Sequence, residues 1–134
     1  MGKKVVIDTN ILISAIGWNA KPGECLKLIL EDKIEAFTTQ GMLDEVSEVL
    51  KYDKFNFSEQ EQQKFLEILV SEFRFVNPEI SINQSEDLDD NKFLECAVSA
   101  DADYIISGDS DLLELKEYEG ITITKPETFL EIYR

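Results

Sequence analysis

Apolar positions in this chain fall into two kinds of segment. Some are short unbroken runs of β-branched residues, and others are longer stretches in which apolar residues recur every three or four positions. Residues 4–8 are of the first kind: Val5-Val6-Ile7 leads into Asp8-Thr9-Asn10, which predicts a buried strand turning into a helix. That helix covers residues 10–17 and is broken over residues 17–21. Pro22 suits the first turn of a second helix running to about Asp32, with Leu26, Ile29 and Leu30 on one face. Residues 34–38 form a second strand, followed by a helix from Gly41 to Tyr52 with Leu43, Val46 and Leu50 at helical spacing. Ser58-Glu59-Gln60-Glu61 is a capping box that opens a long helix to about Phe73. Phe75-Val76 reads as a brief strand stopped by Pro78, and residues 81–90 as a polar loop. A helix from about Asp89 to Ala102 turns Phe93, Leu94, Ala97 and Val98 inward. Residues 104–107 make a strand that stops at Gly108-Asp109, residues 121–124 make the last strand, and Pro126 starts a terminal helix carrying Phe129 and Ile132.

Strands alternating with helices, each strand apolar on both faces, describe a mostly parallel sheet covered on two sides: a three-layer α/β/α sandwich. No repeat or linker divides residues 1–134, so one domain is expected. Ligands of such sheets sit beyond the carboxyl ends of the strands. Two strands here end in an acid, at Asp8 and at Asp109.

Composition narrows the chemistry. Among the 134 residues, 43% are hydrophobic, enough for a real core, yet no apolar run approaches membrane-spanning length. The N-terminus shows no signal peptide, and Cys25 and Cys96 stand apart with no metal-binding spacing, so a cytoplasmic protein with two reduced thiols is expected. The formal charge is −15, opposite in sign to the broad basic surface by which many proteins hold nucleic acid. There is no histidine. A Ser-His-Asp triad, a histidine base and histidine-ligated zinc are thereby excluded. Hydrolytic chemistry would have to run on carboxylates and metal, or on Lys, Tyr or Cys.

Each acid also has an ordinary structural explanation. Asp8 and Asp109 are placed to cap the helices that follow them, and Asp111, two residues on, is an alternate or supporting ligand. Asp90 belongs to Asp87-Leu88-Asp89-Asp90-Asn91 at a helix start, where negative charge suits the helix dipole. An EF-hand on these residues fails, because its sixth position is Lys92 rather than Gly and its twelfth is Val98 rather than Glu. Glu45, with acidic neighbours Asp44 and Glu48, fits a solvated helix face.

Taken together, the motifs resemble those of PIN-domain proteins, especially the toxin components of prokaryotic toxin–antitoxin modules. The matching stretches are Val6-Ile7-Asp8-Thr9-Asn10-Ile11-Leu12, Leu43-Asp44-Glu45-Val46, Asp89-Asp90-Asn91-Lys92-Phe93-Leu94-Glu95-Cys96-Ala97, the segment from Ala102 to Leu113, and Thr124-Lys125-Pro126-Glu127-Thr128-Phe129-Leu130, in that order along nearly the whole chain. The resemblance implies four acids around Mg²⁺ or Mn²⁺, falling on Asp8, Glu45, Asp90 and Asp109. Asn10 and Ser107 would give polar support, and Thr9 is a weaker candidate for the same role. Asp89 and Asp90 are adjacent alternatives for the third acid, and the seven-residue step to Ala97 favours Asp90.

On this reading the chain is a metal-dependent endoribonuclease. Asp8, Asp90 and Asp109 hold metal, and Glu45 holds a second ion or orients the attacking water. RNA is the substrate, a small antitoxin and a homodimer are the expected partners, and Trp18 and Phe57 look like exposed apolar residues available to them. Lys51, Lys54 and Lys92 would form a local positive rim against the overall negative charge. Three competing readings stand beside this one. Gly108-Asp109-Ser110-Asp111 is similar to the Asp-x-Asp of Toprim nucleases, but Asp8 stands where those carry Glu. Ile123-Thr124-Lys125-Pro126 is similar to the end of a phospho-receiver domain, but no central strand ends in a phosphoacceptor Asp. A non-catalytic acidic interaction module is the third.

Overall fold

The fold is described here from a computed structural model, for residues 3–17, 20–82 and 90–133. Six strands form one sheet in the order β3-β2-β1-β4-β6-β5. They are β1 (Lys3–Ile7), β2 (Ile34–Thr38), β3 (Arg74–Phe75), β4 (Tyr104–Ile106), β5 (Glu117–Tyr118) and β6 (Ile121–Thr124). All neighbouring pairs are parallel except β5 with β6.

The helices are α1 (Thr9–Ser14), α2 (Ala20–Leu30), α3 (Gln40–Leu50), α4 (Glu59–Glu72), α5 (Asn91–Ala100), α6 (Ser110–Leu115) and α7 (Pro126–Tyr133). They cover both faces of the sheet. Because successive strand residues point to opposite sides, Val5, Ile7 and Ile106 pack with Leu12, Leu26, Val46, Phe65 and Phe129, while Val6, Phe37 and Ile105 pack with Phe93, Leu94, Ala97 and Leu112. The three-layer α/β/α arrangement expected from the unbroken apolar runs is therefore present.

The expected capping box is complete: the Ser58 hydroxyl accepts from the Glu61 amide at 3.1 Å, and the Ser58 amide donates to the Glu61 carboxylate at 2.9 Å. Phe57, expected to be exposed, is partly buried against the core and stacks on Phe55, with ring centroids 5.7 Å apart. Trp18, Asp87 and Asp89 lie outside the described residues.

Two short elements had no visible signal. One is the 3₁₀ turn Asp53–Phe55, and the other is β5. β5 hairpins onto β6 through Glu119 (φ 48°) and Gly120 (φ 83°). Both central residues sit at positive φ, the geometry favoured by right-twisted hairpins. Glu119-Gly120 lacks the Asn or Asp that usually announces such a turn.

Sheet order fixes where a ligand can enter. From central β1 the chain first builds β2 and β3 on one side, then returns to lay β4 on the other. At that reversal the connections leaving β1 and β4 diverge, opening a crevice at their carboxyl ends. Asp8 and Asp109 line it.

Candidate metal centre

The crevice is a cleft of about 260 Å³ whose lining includes Asp8, Glu45, Asp90 and Asp109. Asp8 follows β1, Glu45 projects from the middle of α3, Asp90 precedes α5, and Asp109 follows β4. Four carboxylates spread along the chain from Asp8 to Asp109 thus meet at one rim. Asn10 lines the same cleft from an exposed position.

Asp8 is only 4% exposed. Its Oδ1 accepts from the Ile11 amide at 2.9 Å, so it does cap α1. Its Oδ2 accepts from the Ser107 hydroxyl and, at 3.4 Å, from the Gly108 amide. The Ser107 hydroxyl in turn accepts from the Asp109 amide at 2.9 Å, linking the two strand ends through one buried oxygen. Burial raises the Asp8 carboxyl above its ordinary value, only partly offset by the hydrogen bonds from Ser107, Ile11 and Gly108, and the Asp109 charge pushes the same way.

Asp109 also caps a helix. Its Oδ1 accepts from the amides of Asp111 at 2.8 Å and Leu112 at 3.4 Å. Capping occupies one carboxylate oxygen and leaves the second for other ligands, so cap and metal ligand are compatible roles here. Asp90 behaves differently: it precedes α5 without making a side-chain cap hydrogen bond, and its carboxylate is buried in the cleft.

Asp90, Asp109 and Asp111 each offer a carboxylate oxygen, all within 4.8 Å of one another. That all-oxygen donor set, with no sulfur or imidazole, suits the hard cations Mg²⁺ and Mn²⁺. Asp111, which sequence reading assigned a supporting place, stands within this tightest group. Asp8 and Glu45 line the cleft outside it.

Both oxygens of Glu45 already have protein partners. Oε1 accepts from the Thr9 hydroxyl, and Oε2 from the Lys92 ammonium. Lys92 and Lys54 are the basic residues in the cleft lining, whereas Lys51 pairs at 3.6 Å with exposed Glu48. Val49, Tyr52 and Phe55 form an apolar wall beside the acids, and the Lys54 ammonium lies 5.1 Å from the Phe55 ring centre. This wall was not foreseen. Its signal is the alternation of basic and aromatic residues in Lys51-Tyr52-Asp53-Lys54-Phe55, hidden at a helix end whose 3₁₀ turn leaves no periodic trace.

A parallel α/β sandwich with a carboxylate-lined cleft at its topological switch point defines a class of protein suited to divalent metal and phosphate chemistry. The chain belongs to the PIN-domain family: a family model described as PIN domain matches residues 4–111. The chain is also 40% identical over 118 residues to an uncharacterized protein of Methanocaldococcus jannaschii, covering 85% of this chain and 76% of that one. PIN domains constitute a nuclease superfamily whose members are generally metal-dependent. Among the described residues no helix is long and apolar enough to cross a membrane.

Proposed function

We propose that this protein is an endoribonuclease that hydrolyses RNA phosphodiester bonds with Mg²⁺ or Mn²⁺. The observation that carries the reading is the convergence of Asp8, Glu45, Asp90 and Asp109 on one cleft, with Asp90, Asp109 and Asp111 close enough to share an ion. Those three aspartates would hold the metal. When bound, it would supply charge neutralisation at the scissile phosphate and a lowered pKa for the attacking water.

The chain's own groups supply the rest. Asp8 and Glu45 are the remaining carboxylate acceptors of the cleft wall and orient the attacking water. Asp8 is fixed by Ser107 and Ile11, and Glu45 by Thr9 and Lys92. Lys54 and Lys92 offset phosphate charge where a surface of net charge −15 would repel it. The Val49–Tyr52–Phe55 wall gives a base or ribose an apolar face.

Purified protein should cut RNA in Mg²⁺ or Mn²⁺ and stop in EDTA, leaving 5′-phosphate and 3′-hydroxyl ends because water, not the ribose 2′-hydroxyl, attacks. Asp109→Asn is the decisive variant, since asparagine still caps α6. Loss of at least about a hundredfold in rate is expected, because disturbing even an outer-shell partner of a metal site typically costs about ten- to a hundredfold. Undiminished cleavage, after controls for contaminating ribonuclease, overturns the assignment.

We further read the protein as the toxin of a toxin–antitoxin module, acting in the cytoplasm as a homodimer and restrained by a small antitoxin. The support is the ordered motif set, which resembles that of PIN-family toxins. Induced expression should arrest growth, Asp109→Asn should relieve the arrest, and light scattering should give twice the chain mass. Normal growth with active enzyme, or a strict monomer at high concentration, removes the respective part of this reading.

A further inference from the structure

A charged side chain inside a cluster of acids does work that depends on which acid it touches. Lys92 follows Asp90 by two residues and its ammonium contacts Oε2 of Glu45, on the α3 side of the cleft. The pair is partly withdrawn from water, with side-chain exposures of 26% for Lys92 and 30% for Glu45. A second interaction steadies the cation there, because its nitrogen also lies 5.3 Å from the Phe93 ring centre. Glu45 Oε1 is engaged by Thr9. Glu45 is therefore organised around a protein cation, while the oxygens gathered closely enough to share an ion belong to Asp90, Asp109 and Asp111.

We propose that Lys92 stands where a second divalent cation would meet Glu45, so that the cleft takes one metal ion, at Asp90, Asp109 and Asp111, and uses the Lys92 ammonium as its second positive charge. An ammonium carries three N–H donors, and the contact with Glu45 uses one of them. A phosphate oxygen of the substrate can take another. The phosphate contact rests on the nuclease reading, whereas the metal count does not.

The test is Mn²⁺ binding to the intact chain without RNA, followed by calorimetry and by electron paramagnetic resonance of free Mn²⁺. The parent should bind one ion, lost in Asp109→Asn. Lys92→Met keeps an unbranched side chain only one atom shorter, removes its charge and frees Glu45 Oε2, so it should bind two ions. Lys92→Arg should bind one. Melting curves would establish that each variant is folded. A parent that binds two ions, or a folded Lys92→Met that still binds one, overturns the Lys92 assignment and leaves the nuclease reading standing. A parent that binds none overturns the metal site itself, and this proposal with it.

Discussion

The Ser107 hydroxyl donates to the Asp8 carboxylate across the β1–β4 boundary, joining residues 99 positions apart at a point where Ser107 is fully buried. The same oxygen accepts from the Asp109 amide, so one small side chain positions an acid on each strand end. Ser107→Ala leaves a buried carboxylate without one donor and an amide without its acceptor. Such losses cost about 1–3 kcal/mol each. Denaturant unfolding should show a loss of that order and cleavage should fall with it. A variant as stable as the parent would mean that water replaces the hydroxyl.

The raised Asp8 carboxyl gives the metal-free protein a pH signature. A raised folded-state value means that the native state holds a proton the unfolded chain has released, and this contribution is full below the ordinary value of 3.8. It fades as pH rises through the shifted value. Asp8→Asn is neutral throughout and can keep the α1 cap through its carbonyl oxygen. In EDTA, the stability of Asp8→Asn relative to the parent should therefore grow as pH climbs above about 4. A pH-independent difference would show that Asp8 is as well solvated as an exposed carboxylate.

Metal should stabilise the fold in proportion to its occupancy. At about a hundredfold excess over Kd the gain is roughly 2.7 kcal/mol, visible as a higher Tm in Mn²⁺. Asp109→Asn should lose most of that gain while melting near the parent in EDTA, since its cap survives. Equal shifts for both proteins would place the ion elsewhere.

Tyr52 is 52% exposed at the edge of the cleft, its ring nearly parallel to Phe55. Stacking of a base on an aromatic ring contributes about 1–3 kcal/mol. Tyr52→Ala should raise KM for RNA on the order of tenfold with little change in kcat, and Tyr52→Phe should restore it. An unchanged KM would remove the apolar wall from the substrate path.

Cys25 and Cys96 are buried, and burial pushes both thiols up to about 12. A thiol-specific reagent at neutral pH should label neither in the native protein and both after unfolding. Rapid native labelling would reveal local opening of α2 or α5.

The sheet was readable because Val5-Val6-Ile7 and Tyr104-Ile105-Ile106 are apolar on both faces, and such runs have few other places to go. Asp8 and Asp109 were readable because they stop those runs. Glu45 was not readable from spacing. It sits on a helix among other acids, and what singles it out is its contact with Thr9 and with Lys92, 47 residues away. The closeness of Asp111 to the other acids was hidden for a similar reason: the short turn of α6 brings its oxygen beside those of Asp109 and Asp90, and a two-residue offset carries no sign of that curl.

The strand order also decides when in the life of the chain a working cleft can exist. Asp8 and Glu45 emerge early during synthesis, but the wall that carries Asp109 and Asp111 forms only after β4 has docked beside β1. A nascent chain that ends before residue 104 thus has no place to assemble the three-aspartate group. A chain truncated there carries Asp8 and Glu45 but lacks Asp109 and Asp111, the acids that lie beyond β4.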